Sequence, residues 1–373
     1  MFNNRVHGVS HGTHYTRLGS RSPALLSNLV MSVSKKILVV LGATGNQGGS
    51  VVRTFLDDQS LASEWHVRVV TRNTSSAAAT ELANLGAEMV SGSLDSVTDL
   101  RAAFKNATAI FAVTDFWSVI QDPAVGQKAQ EKGVHPAVVA QETEEQWGYN
   151  LAAAAADVPN LERFVFSNLP GVNELSHGKL KHVHHYDGKW NIVKHIEQTY
   201  PALWPKTSQI LVGHYNSNIL PGSYFVPRWN PETKRAEFDG PTSGDVPVPF
   251  IDAPKSTGPF VRALVVDEPA GTILAAYDEY QSRFQTADAL ARITGREFGY
   301  VQKSVDELAA GDPLGLEVPQ THLFVDEYGF FGEKVDGWKD KLTWPSDLKV
   351  KIEPPSLSRW LEEQDWSPVF ASA

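Results

Sequence analysis

The chain has no cysteine among its 373 residues, which excludes disulfides, a thiolate nucleophile and a cysteine-based metal site. It also lacks any uninterrupted apolar run near the ~20 residues that a membrane-spanning helix requires. Acidic residues outnumber basic ones, 43 to 33, and the net charge of −10 argues against a surface that binds nucleic acid directly. These absences predict a cytoplasmic protein, or a nuclear one that reaches nucleic acid only through a protein partner.

Acidic residues are also absent before Asp57, and residues 1–33 carry Arg5, Arg17 and Arg21 among several Ser, His and Gly residues. Such a composition is typical of a mitochondrial transit peptide. Alternatively, the segment is a disordered or extraneous extension, and Met31 starts the chain that leads into the first apolar strand. The second interpretation is favoured because the apolar residues of this leader show little amphipathic period.

One stretch, residues 36–55, combines an apolar strand, a glycine-rich turn and the start of a helix. Gly42, Gly45 and Gly48 have the spacing G-x-x-G-x-x-G. Such glycines permit a tight turn, close approach of the backbone to a pyrophosphate, and close packing of helix on strand. The helix predicted to begin near Gln47 would direct its free N–H groups at the phosphates. The stretch therefore predicts a dinucleotide-binding turn; the alternative is a glycine turn without a ligand.

Beyond this turn, apolar strands alternate with helical segments, a pattern that predicts an α/β fold with a doubly wound parallel sheet. Strands are predicted over 66–71, 87–90, 109–113, 163–167, 209–212 and 272–277, with helices over 80–85, 97–104, 146–156, 186–200, 286–294 and 356–363. Residues 34–220 are predicted to form a Rossmann domain, and residues 221–373 a smaller substrate or cap region. Within that region, 272–300 is expected to return to the Rossmann core, and Thr286 is expected to cap its helix.

The segment 114–145 is rich in Pro and Gly and is predicted to be a binding loop or lid. Glu142, Glu144 and Glu145 come just before the predicted helix 146–156. Negative charge at a helix start is favourable, so these glutamates are interpreted as helix-start charges and not as a paired-carboxylate site.

The end of the second strand bears on the choice between nicotinamide cofactors. An acidic residue there binds the ribose 2′-hydroxyl, whereas arginine accommodates a 2′-phosphate. The sequence has Arg72 at this place and no acid before Glu81. Because guanidinium pairs well with phosphate, NADP(H) is the predicted cofactor. The alternative is that Arg72 is an ordinary solvated surface residue.

Four motifs together resemble the NmrA-like family of atypical short-chain dehydrogenase/reductases, which includes NADP(H) sensors and a fungal nitrogen-repression regulator. They are GATGNQGGS at 42–50, VRVVTRN at 67–73, VTDFW at 113–117 and HYDGK at 185–189, with GDVP recurring at 244–247. The resemblance covers about residues 35–300 in the same order.

The resemblance implies an NADP(H) site made by the glycine turn and the segments that follow the strands. Its expected residues are Gly42, Ala43, Thr44, Gly45, Asn46, Gln47, Arg72, Asn73, Thr74, Ser93, Leu94, Thr114, Asp115, Phe116, Gln146, Lys189, Tyr215, Asn216, Ser217 and Asn218. Four positions depart from the family pattern, since basic residues are replaced by Ser75, Ser76 and Gln146, and an acidic residue by Ser93. With fewer positive charges, weaker NADP(H) binding or weaker discrimination between the cofactors is expected.

Short-chain dehydrogenases typically use a Ser/Tyr/Lys set, in which a neighbouring lysine lowers the pKa of the tyrosine phenol. Here Ser167, Tyr186 and Lys189 are the candidates, with tyrosine and lysine three residues apart instead of four. That spacing still shares a helix face. The alternative is that Tyr186 is a packed aromatic and Lys189 only binds the ribose.

Several histidines also lie in this part of the sequence: His177, His182, His184, His185 and His195. No metal is expected, because neither cysteines nor nearby acids complete a ligand set and the resembled family uses none. One of these histidines acting near the substrate is a better interpretation, since imidazole titrates near neutral pH.

Two functional hypotheses follow. The first is an NADPH-dependent reductase of a small carbonyl or conjugated substrate, with aromatic side chains facing the cleft (Phe116, Trp117, Trp147, Trp190 and Tyr215). The second is a non-catalytic NADP(H) redox sensor that regulates a transcription factor or another protein partner. A scaffold without a cofactor is a third hypothesis, against which the intact glycine turn argues. Self-association into an oligomer is compatible with each.

Overall fold

The computed structural model describes residues 1, 8, 10, 12, 34–310, 312 and 314–371. The leader predicted over 1–33 therefore lies outside the described residues, apart from four isolated positions. The described residues from Lys35 onward form one compact unit. The boundary expected at residue 220 stays a prediction.

The first half of this unit alternates strands and helices. Its elements are β1 (Lys36–Leu41), α1 (Asn46–Asp57), α2 (Gln59–Glu64), β2 (Trp65–Thr71), α3 (Ala77–Asn84), β3 (Glu88–Ser91), α4 (Val97–Ala103), β4 (Ala109–Ala112), α5 (Phe116–Ile120), α6 (Pro123–Lys132), α7 (Pro136–Ala156), β5 (Arg163–Asn168), α8 (Val172–Leu175), α9 (His184–Thr199) and β6 (Thr207–Val212).

The second half contains shorter strands and more connecting chain. Its elements are β7 (His214–Tyr215), β8 (Arg228–Asn230), β9 (Arg235–Gly240), β10 (Val248–Ile251), α10 (Ala253–Arg262), β11 (Ile273–Ala276), β12 (Glu279–Gln281), α11 (Arg283–Thr294), β13 (Phe298–Gln302), α12 (Val305–Ala309), α13 (Glu317–Tyr328), β14 (Leu342–Thr343) and α14 (Leu357–Glu362).

The main sheet confirms the predicted doubly wound α/β fold. Among the described residues it has eight strands in the order β14-β11-β6-β5-β4-β1-β2-β3, and the neighbouring strands run parallel. The chain winds outward from β1 in one direction to β3 and in the other to β6, so the strand order reverses between β1 and β4. Ligands of such sheets bind beyond the carboxyl ends of the strands at this reversal.

Two small sheets accompany the main sheet, β12-β10-β7 and β13-β9-β8. Both are mixed, with parallel and antiparallel pairs. Of the segment 272–300, which was expected to return to the Rossmann core, β11 lies in the main sheet beside β6. β12 lies in a small sheet, and α11 packs with residues of β9 and β10. The C-terminal part of the chain therefore contributes both to the main sheet and to the smaller sheets beside it.

Burial on both faces explains why β1 reads as a continuous apolar run. Leu38 and Val40 belong to a core cluster with residues of α1 and α10. Val39 and Leu41 belong to the cluster on the opposite face, with residues of α4, α7 and α9. Alternate residues of a strand point to opposite faces, so each face takes half of the strand.

The prediction of a long loop over 114–145 was wrong. Pro123 and Pro136, which suggested a loop, lie in the first turns of α6 and α7, where the missing proline N–H costs nothing. Gly133 ends α6 in the left-handed conformation, φ 66°. The segment is thus mainly helical, and α7 begins ten residues before the predicted start.

This longer helix overturns the interpretation of its three glutamates. Glu142, Glu144 and Glu145 lie inside α7 and not at its start, so the helix dipole does not explain them. Glu144 is completely buried, with 0% exposure.

The N-cap predicted at Thr286 was also wrong, because α11 begins at Arg283. Ser282 caps it, accepting from the N–H of Gln285, whose side chain in turn accepts from the Ser282 N–H. Thr286 instead donates its hydroxyl to the carbonyl of Ser282, 3.0 Å.

Candidate functional site

The glycine turn between β1 and α1 is built on two close backbone contacts. Gly42 has φ 62°, and a Cβ there would lie 2.5 Å from Cγ1 of Val113. A Cβ on Gly48 would lie 2.5 Å from the backbone of Gly42. Both glycines are therefore required by the fold of the turn itself.

Gly45 differs, because the protein alone does not require a glycine there. A Cβ on Gly45 would meet only the carbonyl oxygen of Gly42, at an ordinary 3.4 Å. The helix α1 starts at Asn46, and no side chain caps it, so its first N–H groups remain available to an anion. Open space in front of Gly45 and an uncapped helix start fit a bound pyrophosphate.

The end of β2 presents a guanidinium without an acidic partner. Arg72 is exposed and forms no ion pair with a described acidic residue. Glu81, the first acid after it, is paired with Arg53 at 2.7 Å. Beside Arg72, Asn73 accepts from the N–H of Ser75 through Oδ1, 2.9 Å, and Thr74 is exposed.

The loop after β3 is fixed to α7 by two sets of hydrogen bonds. Asp95 accepts from the Ser93 hydroxyl at 3.0 Å and from the indole N–H of Trp147 at 2.6 Å. The carbonyl of Leu94 accepts from Nδ2 of Asn150, 2.8 Å, and Gln146 donates to Oδ1 of the same Asn150, 3.0 Å. The predicted residues Ser93, Leu94 and Gln146 are therefore brought together.

Lys189 connects its own helix, α9, with α7 and with the residue that follows β4. Its Nζ donates to the carbonyl oxygen of Thr114 at 2.9 Å and to the hydroxyl of Thr114 at 3.0 Å. It also forms an ion pair with Oε1 of Glu144 at 2.5 Å. Asp115 is exposed beside them and caps α5, accepting from the N–H of Ser118 at 3.2 Å.

Close helix packing makes this ion pair attainable. A Cβ on Gly148 of α7 would lie 2.3 Å from Ile192 of α9. A Cβ on Gly188 would lie 3.1 Å from Oε2 of Glu144. The two glycines thus let α7 and α9 approach until a buried carboxylate reaches the lysine.

The predicted catalytic set is not assembled, and this corrects the expectation for Tyr186. Its side chain is 2% exposed and packs with Leu211, Phe324 and Phe330. Burial raises the pKa of Tyr186 well above its ordinary value, the opposite of what a proton-donating phenol needs. The structure therefore favours the packed-aromatic alternative, while a role for Ser167, which is buried in β5, stays a prediction.

Another side chain of α9 shares a face with Lys189. His185 lies one helical turn before it, and its Nδ1 is hydrogen-bonded to the carboxylate of Glu317. Glu317, 1% exposed, also accepts from the backbone N–H groups of His184 and His185, both at 3.0 Å. Burial opposes ionisation of Glu317, but these bonds hold its pKa below the ordinary value.

Aromatic rings surround His185 on the side of the β4 loop. The ring of Trp117 lies 4.9 Å from His185 and 5.5 Å from the ring of Tyr224. Phe116 is buried 5.9 Å from His185. Trp190, predicted to face the cleft, is instead buried against Trp338 and donates to Glu174 at 2.8 Å.

The segment after β6 returns to the glycine turn. Gln47 donates to the hydroxyl of Tyr215, 2.6 Å, and burial raises the pKa of Tyr215 to about 12, so the phenol stays protonated at neutral pH. Asn216, Ser217 and Asn218 follow in a 3₁₀ turn, with Asn216 buried and the other two half-buried.

Sequence reasoning missed the buried pairs at this site. The spacing of His185 and Lys189, four residues apart, was a usable signal, since such residues share a helix face. Glu317 lies 132 residues beyond His185, and no local pattern connects them.

Two classes of site receive no support in the described part of the chain. No three His, Asp or Glu side chains there converge as metal ligands would. None of its helices combines the length and the apolar character that crossing a bilayer requires.

Comparisons with known proteins agree with this fold. The NmrA-like family model matches residues 34–353. An NmrA-like family domain-containing oxidoreductase, cpsB of Aspergillus campestris, is 27% identical over 334 residues, covering 83% of this chain and 86% of the relative. The nitrogen metabolite repression protein nmrA of Emericella nidulans is 24% identical over 292 residues, covering 76% of this chain and 73% of the relative.

Among solved structures, NmrA, described as a negative transcriptional regulator, superimposes in its complex with NADP with a TM-score of 0.65. The sequences are 20% identical, and the match covers 91% of this chain and 98% of NmrA. NmrA has also been solved with NAD. At this identity the likeness shows the fold alone, but the family model extends over most of the sequence. The chain therefore belongs to the NmrA-like family.

Proposed function

We propose that this protein binds NADP(H) at the carboxyl ends of β1, β2 and β4 and reduces a small carbonyl or conjugated substrate there. Gly45 carries the cofactor part of the proposal. It is a glycine without an internal steric reason, in front of the uncapped start of α1. Arg72, exposed and without an acidic partner among the described residues, supports the phosphorylated cofactor.

Lys189 is proposed to position the end of β4 and not to transfer a proton. Its ammonium is already bound by Glu144 and by both oxygens of Thr114. It therefore fixes the end of β4, where the resemblance places the nicotinamide ribose. With Tyr186 buried in the core, a different group must supply the proton.

His185 is the proposed proton donor. When bound, NADPH supplies the hydride that reduces the substrate carbon. In the proposal the imidazolium of His185 gives its Nε2 proton to the substrate oxygen, becomes neutral, and is reprotonated from solvent. Glu317 fixes the ring through Nδ1, as carboxylates do for other catalytic histidines. Trp117 offers an apolar surface beside it.

The test is NADPH oxidation by purified protein against a panel of small aldehydes, ketones and enones. His185→Asn is expected to lower kcat by about 10²-fold or more while NADPH binding persists. Tyr186→Phe is expected to retain turnover, and the exposed His182→Asn serves as the matched control. Turnover by His185→Asn at the wild-type rate would contradict the assignment.

One observation favours a second candidate, a sensor that binds NADP(H) without turnover. The ammonium of Lys189 is neutralised by a buried carboxylate and is not directed at a phenol. A relative of this chain, nmrA of Emericella nidulans, is a nitrogen metabolite repression protein. NADPH binding by the wild-type protein with no oxidation across the panel would support the sensor and contradict the reductase. Failure to bind either nucleotide would contradict both.

A further inference from the structure

Arg283 is buried without a counter-ion. It is the first residue of α11 and is 8% exposed. It forms no ion pair with any acid in the described residues, and its Nη1 is shielded from solvent and has no hydrogen-bond partner. Its Nη2 approaches Nε2 of His214 at 3.5 Å, the outer limit of a hydrogen bond. A buried charge with unused donors is costly unless something compensates it.

Aromatic rings compensate part of this charge. The rings of Phe225, Phe238 and Phe250 lie 5.7, 5.6 and 5.6 Å from the guanidinium carbon. Such contacts attract a cation but accept no hydrogen bonds. The rings also exclude water, which strengthens the attraction between the guanidinium and any anion that reaches it.

A cavity lies in front of this guanidinium. Arg283, His214 and His322 line it, together with Ser243, Thr321 and Phe330, and its volume is about 40 Å³. One water molecule needs roughly 10–15 Å³ of such cavity volume, so this cavity accommodates a group of a few heavy atoms. Nε2 of His322 is a second shielded polar atom without a partner.

The other groups around the cavity leave Arg283 as its charged member. Burial, with Arg283 nearby, lowers the pKa of His322 to about 3 and that of His214 well below its ordinary value, so both imidazoles are neutral. Burial lowers the pKa of Arg283 only to about 10. Asp239, whose charge acts on His322, is paired with Lys303 at 2.7 Å.

Two pairs of consecutive residues connect the cavity to the proposed active site along the chain. His214 lines the cavity, and the next residue of β7, Tyr215, holds Gln47 of the glycine turn. Phe225 lines the cavity, and its neighbour Tyr224 contacts the ring of Trp117. Consecutive residues of these two segments thus line the cavity and contact the proposed active site.

We propose that Arg283, with His214 and His322 beside it, binds the carboxylate of a small organic acid. Two oxygens of a planar carboxylate match the guanidinium donors, and the neutral imidazoles can donate a further hydrogen bond. In so far as this acid is the substrate, the inference rests on the proposed function; binding of the anion itself does not.

The test measures thermal unfolding of the full chain with acetate, inorganic phosphate or chloride at constant ionic strength. Acetate is expected to raise the Tm of the wild-type protein by about 2 °C or more. Phosphate and chloride are expected to give less. A larger shift with phosphate would contradict the assignment to a carboxylate.

The variant Arg283→Met shows whether Arg283 binds the anion or only supports the fold. Without ligand the variant is expected to unfold at or above the wild-type Tm, because it removes a buried charge that has no counter-ion among the described residues. Its carboxylate response is expected to vanish. Arg292→Met, an exposed arginine of the same helix, is expected to keep the response. Equal responses of wild type and Arg283→Met, or no response in either, would overturn the proposal.

A separate NADPH titration distinguishes the two failures. Wild-type protein that binds and oxidises NADPH without responding to carboxylates overturns the anion site alone. Protein that responds to carboxylates through Arg283 but does not bind NADPH overturns the proposed function and leaves a binding site for a small acid.

Discussion

Glu144 and Lys189 form an ion pair with 2.5 Å between Oε1 and Nζ, in which the glutamate side chain is 0% exposed and the lysine side chain 12%. They come from different helices, α7 and α9, and the lysine also holds Thr114. Oε2 of Glu144 is buried without a partner, so the carboxylate depends on the lysine. The pair fixes the end of β4 relative to two helices.

Removing one member of this pair is expected to cost about 3–5 kcal/mol of unfolding free energy. Lys189→Met is expected to cost more than Glu144→Gln, because it leaves the fully buried carboxylate without a cation. Urea unfolding of both single variants and of the double variant measures the coupling. The double variant is expected to lose less than the sum of the two single losses; simple additivity would show that the pair is not coupled.

The glycines of the turn are expected to respond differently to alanine. Gly48→Ala places a Cβ 2.5 Å from the backbone of Gly42. This overpacking is expected to lower the unfolding free energy by at least ~2 kcal/mol. Gly45→Ala meets no close atom and is expected to retain the wild-type Tm but to weaken NADPH binding more than tenfold. Thermal unfolding and NADPH fluorescence titration check the two variants. Tight NADPH binding by Gly45→Ala would contradict the placement of the pyrophosphate.

Arg72→Ala is expected to weaken NADPH binding by about tenfold or more, since a charge-assisted contact to phosphate contributes roughly 1.5–3 kcal/mol. NADH binding is expected to change little, because NADH has no 2′-phosphate. Titration of both nucleotides gives the ratio, and Arg53→Ala, which removes a half-buried arginine paired with Glu81, serves as the control. An equal loss for the two nucleotides would contradict a contact to the 2′-phosphate.

Asp187 is expected to make stability depend on pH. Burial raises its pKa to about 6, from 3.8 in the unfolded chain. The folded state therefore holds the proton of Asp187 more tightly than the unfolded chain does. Protonated Asp187 adds to the unfolding free energy at low pH, and this stabilisation is lost as pH rises through about 6. Relative to Asp187→Asn, the unfolding free energy of the wild-type protein should fall by about 2–3 kcal/mol between pH 4 and 7.

Urea unfolding at several pH values measures this difference, with the exposed Asp57→Asn as the control. Asp187 accepts from the backbone N–H of Asn173 at 3.0 Å, and asparagine can keep that bond. A difference between wild type and Asp187→Asn that does not change with pH would show that this carboxyl does not titrate on its own in the window.

Local patterns were sufficient for seven of the eight strands of the main sheet and wrong for the segment before β5. They missed β14, whose two residues are too few to form a pattern. Buried parallel strands are short and apolar on both faces, so residues such as Val39 and Val40 identify β1 without any partner. Prolines mislead in the opposite direction, because Pro123 and Pro136 are found in loops and in first helical turns alike. The choice between these depends on what the helix packs against.

The sequence by itself determined the glycine turn and the position of Arg72, since each depends on residues within one strand–turn–helix unit, and the alternation of such units predicted the parallel sheet. Only the tertiary structure decided the chemistry around it. Glu144 reaches Lys189 across 45 residues, Glu317 reaches His185 across 132, and Tyr186 is buried by residues beyond position 320. A side chain's charge and proton affinity depend on burial and on its partners, and both are properties of the folded chain.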